Sequence, residues 1–110
     1  MTPEQALDKN IMLYCGTHDA ICFHTNVGKI KFFDENQKKY RYFDTGLPKG
    51  WPDLIIITKK GNVFFCETKI HPRKPTMEQI KVITNLTMRG VLAFVCYSLE
   101  EFIEKTKNVF

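Results

Sequence analysis

Short apolar runs alternate with polar turns along the chain, and their spacing switches between a helical and an extended period. Thr2-Pro3-Glu4 reads as an N-cap, a proline at the first helical position and an acidic first turn, and Ala6, Ile11, Leu13 and Tyr14 supply apolar positions before Gly16. These residues predict a helix of about three turns. Ala20 to His24 is apolar and β-compatible, which predicts a strand. Lys29 to Phe33 and Lys39 to Phe43 flank the turn-prone Asp34-Glu35-Asn36-Gln37 and predict a basic, aromatic hairpin. Asp53 to Ile57 and Val63 to Lys69, separated by Thr58-Lys59-Lys60-Gly61-Asn62, predict a second hairpin, buried on both faces at the centre of a sheet. Pro75 and Thr76 open a helix with apolar positions at Met77, Ile80, Ile83 and Leu86, and Arg89-Gly90 closes it. Val91 to Tyr97 predicts a further buried strand, and Ser98 with Glu101 forms a capping box that opens a last helix through about Lys105. The order is thus α, several β, α, β, α.

Composition bounds this picture. With 110 residues the expectation is a single domain over 1–110, large enough for a core and too short for two. Hydrophobic residues at 44% and charged residues at 25% are the balance of a folded, water-soluble chain. No apolar run approaches the roughly 18 residues of a spanning helix, so no membrane partner is expected. The N-terminal MTPEQALDKN has neither a basic n-region nor an apolar h-region, so nothing marks the chain for export. Cys15, Cys22, Cys66 and Cys96 sit singly in apolar surroundings without a C-x-x-C pair, which predicts buried free thiols in a reducing cytoplasm. The net charge of +4 permits a polyanionic partner without demanding one. Its distribution says more: Lys29, Lys31, Lys38, Lys39, Arg41 and Lys49 precede the segment around Asp53, and Arg73 and Lys74 follow Lys69.

The chemistry lies where polar residues replace apolar ones. Period-two alternation puts Val63, Phe65, Glu67 and Lys69 on one face of their strand, so that face changes from hydrocarbon to a carboxylate and an amine. Asp53 begins the neighbouring strand and joins them if the hairpin register is right. An even register requires a loop of three or five residues, whereas a two- or four-residue loop turns the Asp53 carboxylate away from Glu67. Two carboxylates at close range repel, and a divalent cation reverses the sign by taking both as hard oxygen ligands. Mg²⁺ or Mn²⁺ beside an ammonium suits phosphodiester hydrolysis. A lone E-x-K is equally the mark of a buried ion pair that satisfies itself. His18, His24 and His71 show no metal-ligand spacing and read as surface or turn residues.

Context separates the two. Gly46-Leu47-Pro48-Lys49-Gly50-Trp51-Pro52-Asp53-Leu54, then Glu67-Thr68-Lys69, then Met77-Glu78-Gln79, resembles the VRR-NUC family, the virus-type replication-repair nucleases of the PD-(D/E)xK superfamily. The resemblance covers roughly residues 45 to 103 and extends loosely to the N-terminal half, where Asn26-Val27-Gly28 is similar to a family Asn-x-Gly. A plain turn explains that tripeptide almost as well. The resemblance implies an α/β fold with a restriction-endonuclease-like core, a mixed central sheet flanked by helices. It further implies Asp53 and Glu67 as metal ligands, the Thr68 carbonyl as another, and Lys69 as the catalytic lysine. An acidic residue on the first helix completes the family's metal site; Glu4 is similar in position, and Asp8, one turn on, is its rival. Gln79 matches a family glutamine that orients the lysine or contacts phosphate, yet Thr76 to Gln79 is itself a capping box.

Around this centre Gly46, Pro48 and Gly50 are expected to shape the loop that delivers Asp53, and Trp51 to cover the core or stack on a base. Lys49, Arg73 and Lys74 are the expected phosphate contacts, together with Arg41, whose stretch Lys38 to Phe43 also suits an edge strand protected against aggregation. The function implied is a Mg²⁺- or Mn²⁺-dependent endonuclease of DNA, structure-specific for branched DNA such as Holliday junctions, needing no organic cofactor. Cutting two strands related by a two-fold axis implies a homodimer. Stand-alone family members are commonly encoded by phages, which implies a phage protein in a bacterial cytoplasm. The alternatives are a nucleic-acid-binding module of the same fold with weak turnover, and a nuclease acting on linear or flap DNA.

Overall fold

A computed structural model describes residues 1–25 and 29–110; Asn26-Val27-Gly28 lies outside the described residues. The elements run α1 (Pro3–Thr17), β1 (Ile21–His24), β2 (Lys29–Asp34), β3 (Lys39–Asp44), β4 (Leu54–Ile57), β5 (Val63–Thr68), α2 (Met77–Met88), β6 (Ala93–Cys96) and α3 (Leu99–Thr106). The central sheet has the order β1-β4-β5-β6, antiparallel except for the parallel β5–β6 pair. It is the expected mixed sheet. The parallel pair follows from α2, which supplies the crossover that a hairpin turn cannot.

One face of this sheet makes the core. Leu54, Ile56, Phe64, Cys66, Phe94 and Cys96 point to α1 and α3, where Leu7, Ile11, Cys15 and Phe102 meet them. Each large side chain buried there contributes about 1.5–3 kcal/mol. The other face carries α2, which packs on β6, and Trp51, whose ring meets Phe65 edge-on at 5.3 Å. Toward β1 that face stays open: Ile21, Phe23 and Val63 are exposed, and Ile55 and Ile57 are half-buried. The central hairpin is therefore buried on one face, not both, because α2 reaches only part of the second.

One helix boundary and one cap differ from expectation. The first helix passes through Gly16, which has open space around it, and ends at Thr17, while buried Cys15 anchors its last turn. A glycine one residue from a helix end costs little, so packing decides the boundary. Thr2 and Gln5 form a complete capping box at its start. At α3 the Ser98 hydroxyl accepts from the Glu101 N–H at 3.1 Å, but the Glu101 carboxylate turns instead to Lys105 at 3.5 Å, so only half of the expected box is made. The cysteines depart from expectation in two ways: Cys66 and Cys96 bring their sulfurs to 3.3 Å, and Cys22 is half-buried where burial was expected. All four remain free thiols.

β2 and β3 pair only with each other and form the predicted basic, aromatic hairpin around Glu35 to Lys38. The longest dimension of the molecule is 49 Å against 31 and 30 Å across. Among the described residues no helix is long and apolar enough to cross a membrane.

Candidate active site

Two strands and one helix start converge at an end of the central sheet. The register sets Ile57 opposite Val63 and Leu54 opposite Cys66, leaving the five residues Thr58 to Asn62 as the loop and bringing Asp53 opposite Glu67. This is one of the two loop lengths the chemistry required. Asp53 is held from its other side, because the Thr25 N–H donates to its carbonyl oxygen at 2.9 Å and the Thr25 hydroxyl donates to that of Pro52 at 2.5 Å. The Lys69 N–H donates to the Cys96 carbonyl at 3.0 Å and keeps the chain paired one residue beyond β5.

The loop entering Asp53 depends on Gly50. Its φ is +93°, and a Cβ there would stand 2.5 Å from the Glu78 carbonyl carbon and 2.8 Å from the Gln79 nitrogen. Only glycine lets the loop lie this close to the first turn of α2, the turn that carries Gln79. Gln79 makes the expected cap and in addition reaches Glu67, a partner the sequence did not name. Its Oε1 accepts from the Thr76 N–H at 2.8 Å as the cap requires, and its Nε2 donates to Glu67 Oε2 at 3.1 Å. The cap thus fixes the amide that supports the acid.

Carboxylate oxygens of Glu4, Asp53 and Glu67 all lie within 4.8 Å of one another. The opposite oxygens around a magnesium ion stand about 4.2 Å apart, so these three have nearly the spacing of one coordination shell. Glu67 is 1% exposed, with Lys69 Nζ at 3.6 Å from its Oε2. Its other oxygen, Oε1, is buried without any hydrogen-bond partner. A self-satisfying ion pair would leave no such orphan. Burial, and then the neighbouring Asp53 charge, push the Glu67 carboxyl up to about 8, against the pull of Lys69. Burial raises Asp53 as well, with Glu4 adding to the rise and the shared contact with Glu67 opposing it. With every group ionised, three acids and one lysine leave two negative charges, which one divalent cation cancels.

Of Glu4 and Asp8, it is Glu4 whose carboxylate clusters with those of Asp53 and Glu67. Asp8 accepts from the Thr68 hydroxyl at 2.5 Å and is spent inside the fold. The Thr68 side chain therefore points to the core face, away from that of Glu67. His24, read from sequence as a surface or turn residue, is exposed at the end of β1.

The basic residues are spread around this end. Lys49, Arg73 and Lys74 are exposed. Arg41 is exposed too, but its guanidinium is paired with Asp34 at 3.0 Å. His71 stacks on Tyr97 at 4.1 Å, and the Tyr97 hydroxyl donates to the Arg73 carbonyl at 3.0 Å, which fixes the loop after Lys69. A cleft of about 310 Å³ between that loop and the start of α1 reaches the acids through Glu4.

A solved structure described as a VRR_NUC domain superposes on the whole chain, covering 100% of both, with a TM-score of 0.70 and 21% sequence identity. The fold is that of a VRR_NUC domain. No protein-family model matches the sequence, and no curated protein matches it. At that identity the likeness resides in the course of the backbone. The shared fold includes the mixed sheet, and in this chain β4, β5 and the start of α2 meet at the end of that sheet where the acids, lysine and glutamine gather.

Proposed function

We propose that the chain is a divalent-metal-dependent nuclease that hydrolyses phosphodiester bonds in DNA. The observation that carries this reading is the trio Glu4, Asp53 and Glu67, whose oxygens lie within 4.8 Å of one another around a Glu67 oxygen with no partner. Glu4, Asp53, Glu67 and the Thr68 carbonyl would hold Mg²⁺ or Mn²⁺, hard cations suited to oxygen donors. Such an ion, once bound, polarises a phosphodiester oxygen and lowers the pKa of water.

The chain's own groups supply the rest. The Lys69 ammonium, 3.6 Å from Glu67, orients the attacking water and offsets charge developing on the phosphate. Gln79 holds the Glu67 carboxylate in place from the capped start of α2. Lys49, Arg73 and Lys74 meet flanking phosphates, which positions the scissile bond without reading sequence. The substrate we favour is branched DNA such as a Holliday junction, cut by a homodimer with two equivalent sites. The open part of the sheet face, where Ile21, Phe23 and Val63 are exposed, suits a second copy.

Cleavage with Mn²⁺ of duplex, flap, fork and four-way junction DNA tests the proposal. Asp53→Ala, Glu67→Ala and Lys69→Ala are each expected to lower cleavage by roughly 10³-fold or more while DNA binding persists. Wild-type turnover in any of the three contradicts the role given to that residue. Binding by the wild type without cleavage of any substrate would leave only a nucleic-acid-binding module.

A further inference from the structure

The β2–β3 hairpin is unlike the rest of the molecule. Among the described residues neither strand makes a substantial contact with another helix or strand, and a two-stranded ribbon alone is marginally stable in water. Its register places Lys31 opposite Tyr42 and Phe33 opposite Tyr40, so these four side chains share one face. Tyr40 is 62% exposed, Tyr42 65% and Phe33 44%. The rings are nevertheless arranged: Phe33 meets Tyr40 edge-on at 5.3 Å, and Lys31 Nζ stands 4.4 Å from the Tyr40 centroid.

We infer that this ribbon is a binding arm for unpaired nucleotides, with bases stacking on Tyr40, Tyr42 and Phe33 while Lys31, Lys38 and Lys39 meet the phosphates. The inference rests on the nuclease reading for the identity of its partner. Three observations select that partner. Residues 29–44 hold five Lys or Arg against three Asp or Glu, so this segment supplies +2 of the chain's +4. Two of the acids are occupied, Asp34 by Arg41 and Asp44 by the Gly46 N–H, whereas Lys31, Lys38 and Lys39 have no acidic partner among the described residues. The arm therefore presents aromatic rings within a field of unpaired cations, the combination that binds single strands without regard to sequence.

Spacing is the second observation. Tyr40 and Tyr42 are two residues apart on one strand, about 6.8 Å, which leaves the thickness of one planar base between their ring positions. The third is where the arm is rooted. Thr25 at its entrance bonds to Asp53 and Pro52, and its exit runs through Gly46 to Gly50 into Asp53. A strand stacked on the arm thus approaches the acids along the chain that positions them. A two-fold contact of this face with itself is disfavoured, because it would set lysines of the two copies against each other.

The test is binding of a short fluorescein-labelled oligothymidylate, and of a labelled duplex, measured by anisotropy in EDTA so that nothing is cut. Tyr40→Ala/Tyr42→Ala is expected to weaken the single strand about tenfold or more and to leave the duplex unchanged. Tyr40→Phe/Tyr42→Phe, which keeps both rings, should bind as the wild type does, and both variants should melt with it. Equal loss on both ligands, no loss on either, or conversion of a dimer to a monomer would each overturn the arm's role, the last making it a contact between copies. Cleavage is read separately with Mn²⁺. A wild type that cuts no DNA yet binds oligothymidylate through its tyrosines refutes the nuclease and keeps the arm, whereas a nuclease whose tyrosine variant binds normally does the reverse.

Discussion

The acidic end of the central sheet and the β2–β3 ribbon break the usual partition of side chains in opposite directions. At the first, Glu67 is 1% exposed with one oxygen unpartnered; at the second, Tyr42 is 65% exposed with no element packed upon it. Burying an unpaired charge is costly, and so is leaving a run of large rings in water. The core obeys the rule: Leu54, Ile56, Phe64 and Phe102 are fully buried. Each exception is thus incomplete on its own terms. The acids outnumber their one lysine, a deficit that the cation we propose would fill, and the rings lack a flat partner, which the base we propose would provide.

The two exceptions also differ in how firmly they are held, and that difference can be broken experimentally. The largest effect is the loss of cleavage in the alanine variants of Asp53, Glu67 and Lys69, none of which should disturb oligothymidylate binding on the arm. Next is Gly50→Ala. The added Cβ would stand 2.5 Å from the Glu78 backbone at a φ of +93°, so the Asp53 loop and α2 must separate. Urea melts should show a loss of about 1–3 kcal/mol, with cleavage falling further than stability alone explains. The arm makes no such tight contact, and its binding of oligothymidylate should survive.

A smaller effect reads the charge on the acids directly. Glu67 has an ordinary value of 4.5 in the unfolded chain and about 8 in the fold, so between those pH values the metal-free fold keeps a proton that the unfolded chain has released. Its contribution to stability is therefore full below about pH 4.5 and is lost as the pH rises toward 8. Melts in EDTA at stepped pH should show this decline in the wild type and a flatter profile in Glu67→Gln. Parallel slopes would mean that Glu67 titrates normally.

Much of the acidic end was legible in the sequence because alternation is a strict rule: once Glu67 and Lys69 share a face with Phe65, the five-residue loop seats Asp53 opposite Glu67. Glu4 and Asp8 were not separable. They are four residues apart on one helix, and only the Thr68 hydroxyl, sixty positions away, takes Asp8 out of contention. The arm was legible as a hairpin but not as an isolated one, since periodicity records which residues share a face and not whether anything covers it. The same gap explains the sheet's second face, expected to be buried and found open toward β1. Gly16 shows the converse, where packing around Cys15 carries a helix past a residue that local preference marks as its end.

The central claim is that Glu4, Asp53 and Glu67 share one divalent cation, and calorimetric titration of Mn²⁺ into metal-free protein tests it most directly. The wild type should bind one ion per chain, Asp8→Asn should bind it as well, and Glu67→Gln and Asp53→Asn should not. Absence of saturable binding in the wild type, or an affinity unchanged in Glu67→Gln, would contradict it.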